Sequence, residues 1–286
     1  TNTIGIYNTA VGYGAMSSNS TGQQNTAIGS SALAYNTYGV YNTAVGYNAL
    51  VLNTTGNYNT AMGWWALYNN NTGAYNTAVG VSSMQNNTYG LYNSAFGYAS
   101  LQSNTTGTYN VGVGYQSLYN NTTGAYNTAV GHQALNTQSV ASYQTAVGYQ
   151  AGYNNAAGLC TLVGHQAGYS ASQYAITAVG YQALYSNTGG YRNTAVGVAA
   201  AGSVTSGTYN TAIGDNALAA ATTYGQNTAL GAMSAKSLVS GSDNSGIGSA
   251  TLYSLVTGYF NTAVGSAVLQ ALVTGSNNTA VGFNSM

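Results

Sequence analysis

The sequence predicts an all-β fold: a parallel β-solenoid, or β-roll, of 17 coils on a 17-residue repeat. Three observations carry that expectation. The phrase Asn-Thr-Ala-Val-Gly recurs through all 286 residues, its glycine falling at 12, 29, 46 and onward to 282 in 17 copies. Fourteen of the sixteen steps are 17 residues, and the steps 148 to 164 and 164 to 180 are 16. That period is too short for helix-pair repeats, which need about 33 residues or more. Finally, the chain contains no proline and is only 1% charged.

Each column of the repeat makes its own demand. The residue before the anchor glycine is always apolar, as in Val11, Ile28, Val45, Met62 and Phe96. Two residues before it stands Thr or Ser in 16 of 17 copies, Val111 being the exception. Thr, Val and Ile favour strands, so T-A-V reads as a strand with Thr and Val on one face and Ala on the other. The apolar column is expected to face inward and to take Thr with it. A Leu or Met column four residues after the anchor predicts a second short strand, A-L-x-x. The two glycine columns read as corners that need positive φ or close backbone approach, and N-T-T-G reads as a turn. One such coil cannot bury its own apolar edge, whereas a stack of coils can. Stacking sets identical residues over one another, so Asn8, Asn25, Asn42, Asn59, Asn76, Asn93, Asn110 and Asn127 are expected to form a structural ladder.

Composition excludes several kinds of function. Lys and Arg total 2 and Asp and Glu total 2, against about 25% charge in an ordinary domain. Phosphate neutralisation needs cations, so no nucleic-acid partner is expected. No apolar run of about 18 residues predicts membrane insertion. A charged column in a stack would set like charges about 5 Å apart, which explains the neutrality. The absence of proline fits a fold in which nearly every N–H is paired. Thr1-Asn2-Thr3-Ile4-Gly5 reads as neither an initiator nor a signal peptide, and the chain stops at Met286, four residues past an anchor glycine. Both ends predict a processed chain or a piece of a longer one.

The chain reads as a single repeat domain, 1–286, with three stretches. Residues 1–139 carry regular Tyr-rich coils with Asn-Thr turns. Residues 140–190 are irregular: Gln144, Cys160 and Ile176 replace Asn, and Gly152 and Gly168 replace Leu. Residues 191–286 resume the period with altered turns, Leu238-Val239, Leu255-Val256 and Leu272-Val273. Apolar residues at a formerly polar turn predict burial there, as a subunit contact would provide.

No catalytic constellation emerges, and no enzyme, cofactor or metal site is expected. His132 and His165 sit in the column usually filled by Tyr and read as column substitutions without further ligands. Cys160 occupies the Asn column and reads as a small buried filler. The aromatic columns admit two readings. Tyr13, Tyr47, Trp64, Tyr98, Tyr115 and Tyr149 follow the anchor, and Tyr7, Tyr41, Tyr58, Tyr75, Tyr92, Tyr109 and Tyr126 precede the Asn. They read as structural ladders or packing surfaces; alternatively, the first set offers a receptor or glycan platform, since aromatics supply binding anchors. Asn19, Asn53, Asn70, Asn104 and Asn121 stand in N-x-S/T sequons, which read either as glycosylation sites or as turn chemistry.

The phrase N-T-A-V-G-Y-x-A-L, as at 42–50, resembles the head repeats of trimeric autotransporter adhesins. It is more similar to repeat regions of phage tail-fibre proteins, as Tyr181-Gln182-Ala183-Leu184-Tyr185-Ser186-Asn187-Thr188-Gly189 illustrates. The resemblance covers essentially the whole chain and implies a parallel β-roll assembled as a homotrimer, extracellular, on a virion tail or a bacterial surface. The expected function is a fibre shaft that displays a receptor-binding tip or binds host glycans through its aromatic columns. The alternative is an ice-binding or other ligand-binding solenoid, a reading that requires the Thr column to point outward.

Overall fold

The computed structural model describes residues 3–221 and 223–285. Thr1, Asn2, Thr222 and Met286, the last being the final member of the Leu/Met column, lie outside the described residues. The chain is an all-β parallel solenoid with one short strand before each anchor glycine, from β1 (Thr9–Val11) to β17 (Thr279–Phe283). It divides into two compact units, Thr1–Gln144 and Thr145–Met286. In the first, eight strands ending with β8 (Thr128–Val130) pair in parallel and in register, column over column, as Thr26 over Thr43 and Ala27 over Ala44. In the second, strands from β9 (Thr145–Val147) to β17 do the same, and the register absorbs the two 16-residue coils without a slip.

The expected second strand over A-L-x-x does not form. Those residues make consecutive turns instead: in the coil anchored at Gly46, Ala49 N–H donates to Gly46 O and Asn53 N–H to Leu50 O. Positive φ recurs at alternate residues, 131° at Gly46, 55° at Asn48 and 54° at Leu50. A non-glycine residue in this region costs roughly 1–2 kcal/mol. Stacking offsets it, because the alternation aims successive N–H groups at opposite neighbours. Asn48 N–H donates to Ser30 O of the preceding coil at 3.0 Å, and Leu50 N–H to Ala66 O of the following coil at 2.9 Å. No Val, Ile or Thr adopts positive φ among the described residues, although the chain is rich in Thr and Val. β-branched side chains fit this region worst, and the repeat keeps them out of it, in strand and turn alike.

The strand face is the reverse of the sequence expectation. Ala lies inward, with Ala27, Ala44, Ala61 and Ala78 fully buried, while Thr and the apolar column face outward. The interior is narrow at this column. Its Ala column faces the column three residues after the anchor: Ser100 Oγ donates to Gly112 O and Ser234 Oγ to Gly246 O, each at 3.0 Å. Gly112 and Gly246 replace Ala in two coils whose opposite column carries a hydroxyl; a Cβ at Gly112 would lie 2.5 Å from Ser100 Oγ, and one at Gly246 2.6 Å from Ser234 Oγ, whereas Ala95 keeps its Cβ opposite Ser83. The Leu column, Leu33, Leu50, Leu67 and Leu101 among others, fills the rest of the core.

The two glycine columns serve different needs. The anchor glycine combines positive φ with close stacking: a Cβ on Gly46 would lie 2.7 Å from Gly63 O. The second column, at Gly39 or Gly56, needs close approach alone.

The irregular stretch repacks the same core. Leu162 replaces Ala in the inward strand position and is fully buried. Gly168 replaces Leu in the same coil, where a Cβ would meet Leu162 Cδ2 at 2.6 Å. The lost leucine is thus supplied from the opposite wall. Leu162→Ala is expected to destabilise by about 2–5 kcal/mol through the cavity left. Gly168→Leu alone is expected to destabilise by overpacking, and the two together to recover at least half of the summed loss. A double-mutant cycle by denaturant unfolding measures that coupling.

Candidate functional site

Two buried asparagine ladders meet at one carbonyl in every regular coil of the first unit. In the column of Asn8 to Asn127, each backbone N–H donates to the Oδ1 of the coil before, as from Asn42 to Asn25 at 2.9 Å. From Asn8 to Asn110 each Nδ2 donates to the second glycine of its own coil, as from Asn42 to Gly56 O at 2.8 Å, and Asn127 donates to Ala141 O in the same place. The turn asparagines form the other ladder. Asn53 Nδ2 donates to Asn36 Oδ1 at 2.8 Å and to Gly56 O at 2.9 Å. Gly56 O therefore accepts from Asn42 and Asn53 together. A Cβ on Gly56 would lie 2.3 Å from Asn53 Oδ1 and 2.3 Å from Gly73 O, so the junction requires glycine.

The sequon residues Asn19, Asn53, Asn70, Asn104 and Asn121 belong to this second ladder, and all are buried. Their amides face the interior, away from any modifying enzyme acting on the folded chain.

In the second unit the first ladder resumes from Asn193 to Asn278, but the turn ladder does not. Amide Nδ2 of Asn155 and of Asn187 is buried without a hydrogen-bond partner. Val204, Ala221, Leu238 and Leu255 then occupy the column and are buried in their own coils. The burial expected at these turns is thus provided, for Leu238 and Leu255, by the chain itself. Leu272 is half-buried, and Val239, Val256 and Val273 stand outside, 44%, 38% and 54% exposed.

The aromatic columns run along the surface. Tyr41, Tyr58, Tyr75, Tyr92, Tyr109, Tyr126 and Tyr143 stack face to face at 4.8–5.2 Å. Tyr98 stacks on Tyr115, and Tyr115 on His132 at 4.9 Å. In the second unit His165 lies between Tyr149 and Tyr181 at 5.0 and 5.1 Å. Both histidines are rungs of these stacks. Tyr13, Tyr47 and Trp64 are exposed in the same column, yet Tyr47 and Trp64 meet edge to face at 80°. Trp65 and Tyr68 continue that break in stacking, at 62° from Trp64 to Trp65 and 64° from Trp65 to Tyr68. Reading by columns overlooks this cluster, because Trp65 and Tyr68 belong to neighbouring columns. The signal available was the Trp-Trp pair itself.

Cys160 is buried, its Sγ 3.4 Å from Gly158 O. Burial pushes its thiol pKa above the ordinary value. Among the described residues no three His, Cys, Asp or Glu side chains gather as a metal site would require.

No family model, curated protein or solved structure matches the chain. Fold and surface define a nearly charge-free β-solenoid with internal amide ladders and external aromatic ladders.

Two measurements test these assignments. Asn76→Ala removes one of the two donors to Gly90 O, leaving Asn87 Nδ2, and strands the N–H of Asn93 inside the stack. It is expected to destabilise by about 2–4 kcal/mol, read as a lowered urea midpoint. A raised thiol pKa leaves less thiolate at any given pH. Cys160 is therefore expected to react with a thiol reagent at pH 8 at least about tenfold more slowly than a free cysteine, recovering on denaturation.

Proposed function

We propose that the chain is a shaft segment of an extracellular fibre, on a phage tail or a bacterial surface, that works by rigid display and by binding glycans through exposed aromatic rings. The observation that carries this reading is the amide ladder of the first unit, repeated coil after coil with the same partners. Such a stack gives length and stiffness without a folded pocket for chemistry. The repeat's resemblance to tail-fibre and adhesin repeats supports the same reading and adds a homotrimer. Exposed Val239, Val256 and Val273 offer apolar surface for the contact. Arg192 and Lys236 are the only trypsin sites, which suits a protein exposed to proteases.

A second reading, an ice-binding solenoid, is favoured by one observation. The Thr and Val columns face outward in register, so each unit presents hydroxyls and methyls at about 4.8 Å between coils and about 6.6 Å along the strand.

Light scattering tests the first reading. A mass three times the 29.0 kDa chain is expected, and a monomer would remove the trimer from the proposal. Thermal hysteresis on the same sample tests the second: a freezing-point gap with faceted crystals supports it, and no gap eliminates it.

A further inference from the structure

We propose that the break in the aromatic column at Trp64 and Trp65 is a binding site for a neutral oligosaccharide, seated in the groove that opens beside it in the first unit. The inference rests on the glycan-binding part of the display reading and locates it.

Ring geometry is the first argument. A pyranose binds an aromatic residue by laying its C–H face on the electron-rich ring face. In the regular ladder each ring face is covered by the next ring at about 4.9 Å, as between Tyr58 and Tyr75, so mainly edges and hydroxyls remain. At Tyr47, Trp64, Trp65 and Tyr68 the rings turn 62–80° from their neighbours. Faces are released there, and Trp64 and Trp65 are 53% and 37% exposed.

The second argument is shape. Tyr68 packs edge-on against Trp65 and also lines a groove of about 570 Å³. Buried Ala34 and Val51 form its base, and exposed Tyr13 and Tyr35 stand around it. The groove exists because this column carries small residues, Ser17, Ala34 and Val51, where Tyr68 stands one coil later. Ser31 and Asn48 bring a hydroxyl and an amide into the lining. Tyr35 also borders a second groove, with Leu52, Thr54 and Asn71, of about 650 Å³. Tyr35 is common to both grooves, and a chain of several sugars would pass it to reach from one to the other.

Charge gives the ligand class. The four charged side chains, Arg192, Asp215, Lys236 and Asp243, all belong to the second unit. The first unit has no Lys or Arg to pair with a carboxylate, sulfate or phosphate. A site of ring faces, hydroxyls and amides selects a neutral sugar.

Both tryptophans of the chain lie in this cluster, so tryptophan emission reads this site alone. The full chain is titrated with maltohexaose, cellohexaose, mannohexaose and N-acetylchitohexaose, and with sialyllactose as the charged comparison. In parallel, binding of the chain to an immobilised neutral-glycan array is measured. Two variants accompany it. Trp65→Ala removes a ring face. Ala34→Tyr fills the groove with the residue that its column already holds at Tyr68, Tyr119 and Tyr153, so the stack has room for it.

The expected result is a saturable emission shift with at least one neutral oligosaccharide. Its affinity should fall at least tenfold in both variants while their melting temperatures stay near that of the parent; should Trp65→Ala fail to fold, Ala34→Tyr decides. Array binding that persists in a folded variant overturns this site and leaves the glycan-display reading standing. No emission shift and no array binding overturns both. Tighter binding of sialyllactose overturns the neutral assignment.

Discussion

The junction of two asparagines on one glycine carbonyl is the constraint on which the regular coils depend. An asparagine side chain has both a donor and an acceptor, so a column of them in register passes hydrogen bonds from coil to coil without a net charge. Asn42 and Asn53 both donate to Gly56 O, and their own oxygens accept from the coil that follows, through Asn59 N–H and Asn70 Nδ2. A buried amide left half-satisfied would cost about 1–3 kcal/mol. Here both functions of each amide are used, and the glycine has no side chain because the amides occupy that space. A carboxylate could accept but not donate, and would repel its copy one coil away. Neutral composition and the Asn-Gly spacing are therefore one requirement seen twice.

Backbone geometry supplies the other half of the repeat. Alternating positive φ through the turn residues directs N–H groups up and down the stack, which replaces a second strand with a second set of inter-coil hydrogen bonds. It also sorts residue types. Tyr, Gln, Leu and Ala recur at the left-handed positions, and Thr, Val and Ile stay out of them, in strand and turn alike, among the described residues. Several changes in the wall opposite the strand come with a compensating glycine. Ser100 and Ser117 stand with Gly112, Ser234 and Thr251 with Gly246, and Leu162 with Gly168. The second unit shows that the turn ladder is replaceable as a column: Leu238 and Leu255 fill with apolar contact the space that Asn53 and Asn70 fill with amides. Isolated bridges from Ser240 to Thr257 and on to Thr274 add backbone pairing beside that turn.

The period of the Asn-Thr-Ala-Val-Gly phrase made the solenoid and its in-register strands legible, because register follows from identical residues at equal spacing. The sidedness of the strand was not legible. Alternation separates Ala from Thr and Val but does not say which side is enclosed, and hydrophobicity points to Val. The dimension of the cavity decides, and that depends on how close the opposite wall comes. The second strand was misread for a related reason: A-L-x-x has strand-like composition, while its positive φ values arise from hydrogen bonds to other coils. The leucines of the Leu-Val turns read as buried by a subunit contact, because polar turns usually lie on the surface of the chain. Only alignment with the buried Asn19 to Asn121 column reveals that they point inward.

A perfect repeat also limits what its surface can recognise. When every Tyr lies flat against the next, stacking uses the faces that a ligand would need, and the column shows solvent a uniform edge. The same regularity leaves little concavity, because each side chain fills the space beside its copy. Recognition then belongs to coils that depart from the consensus. In the first unit the departures coincide: the Trp pair turns ring faces outward, and the small residues at 17, 34 and 51 open space next to Tyr68. Neither change disturbs the amide ladders beneath, since Asn53, Asn59 and Asn70 keep their partners through these coils. Stability resides in the inward columns, so the surface can vary while the stack stays in register.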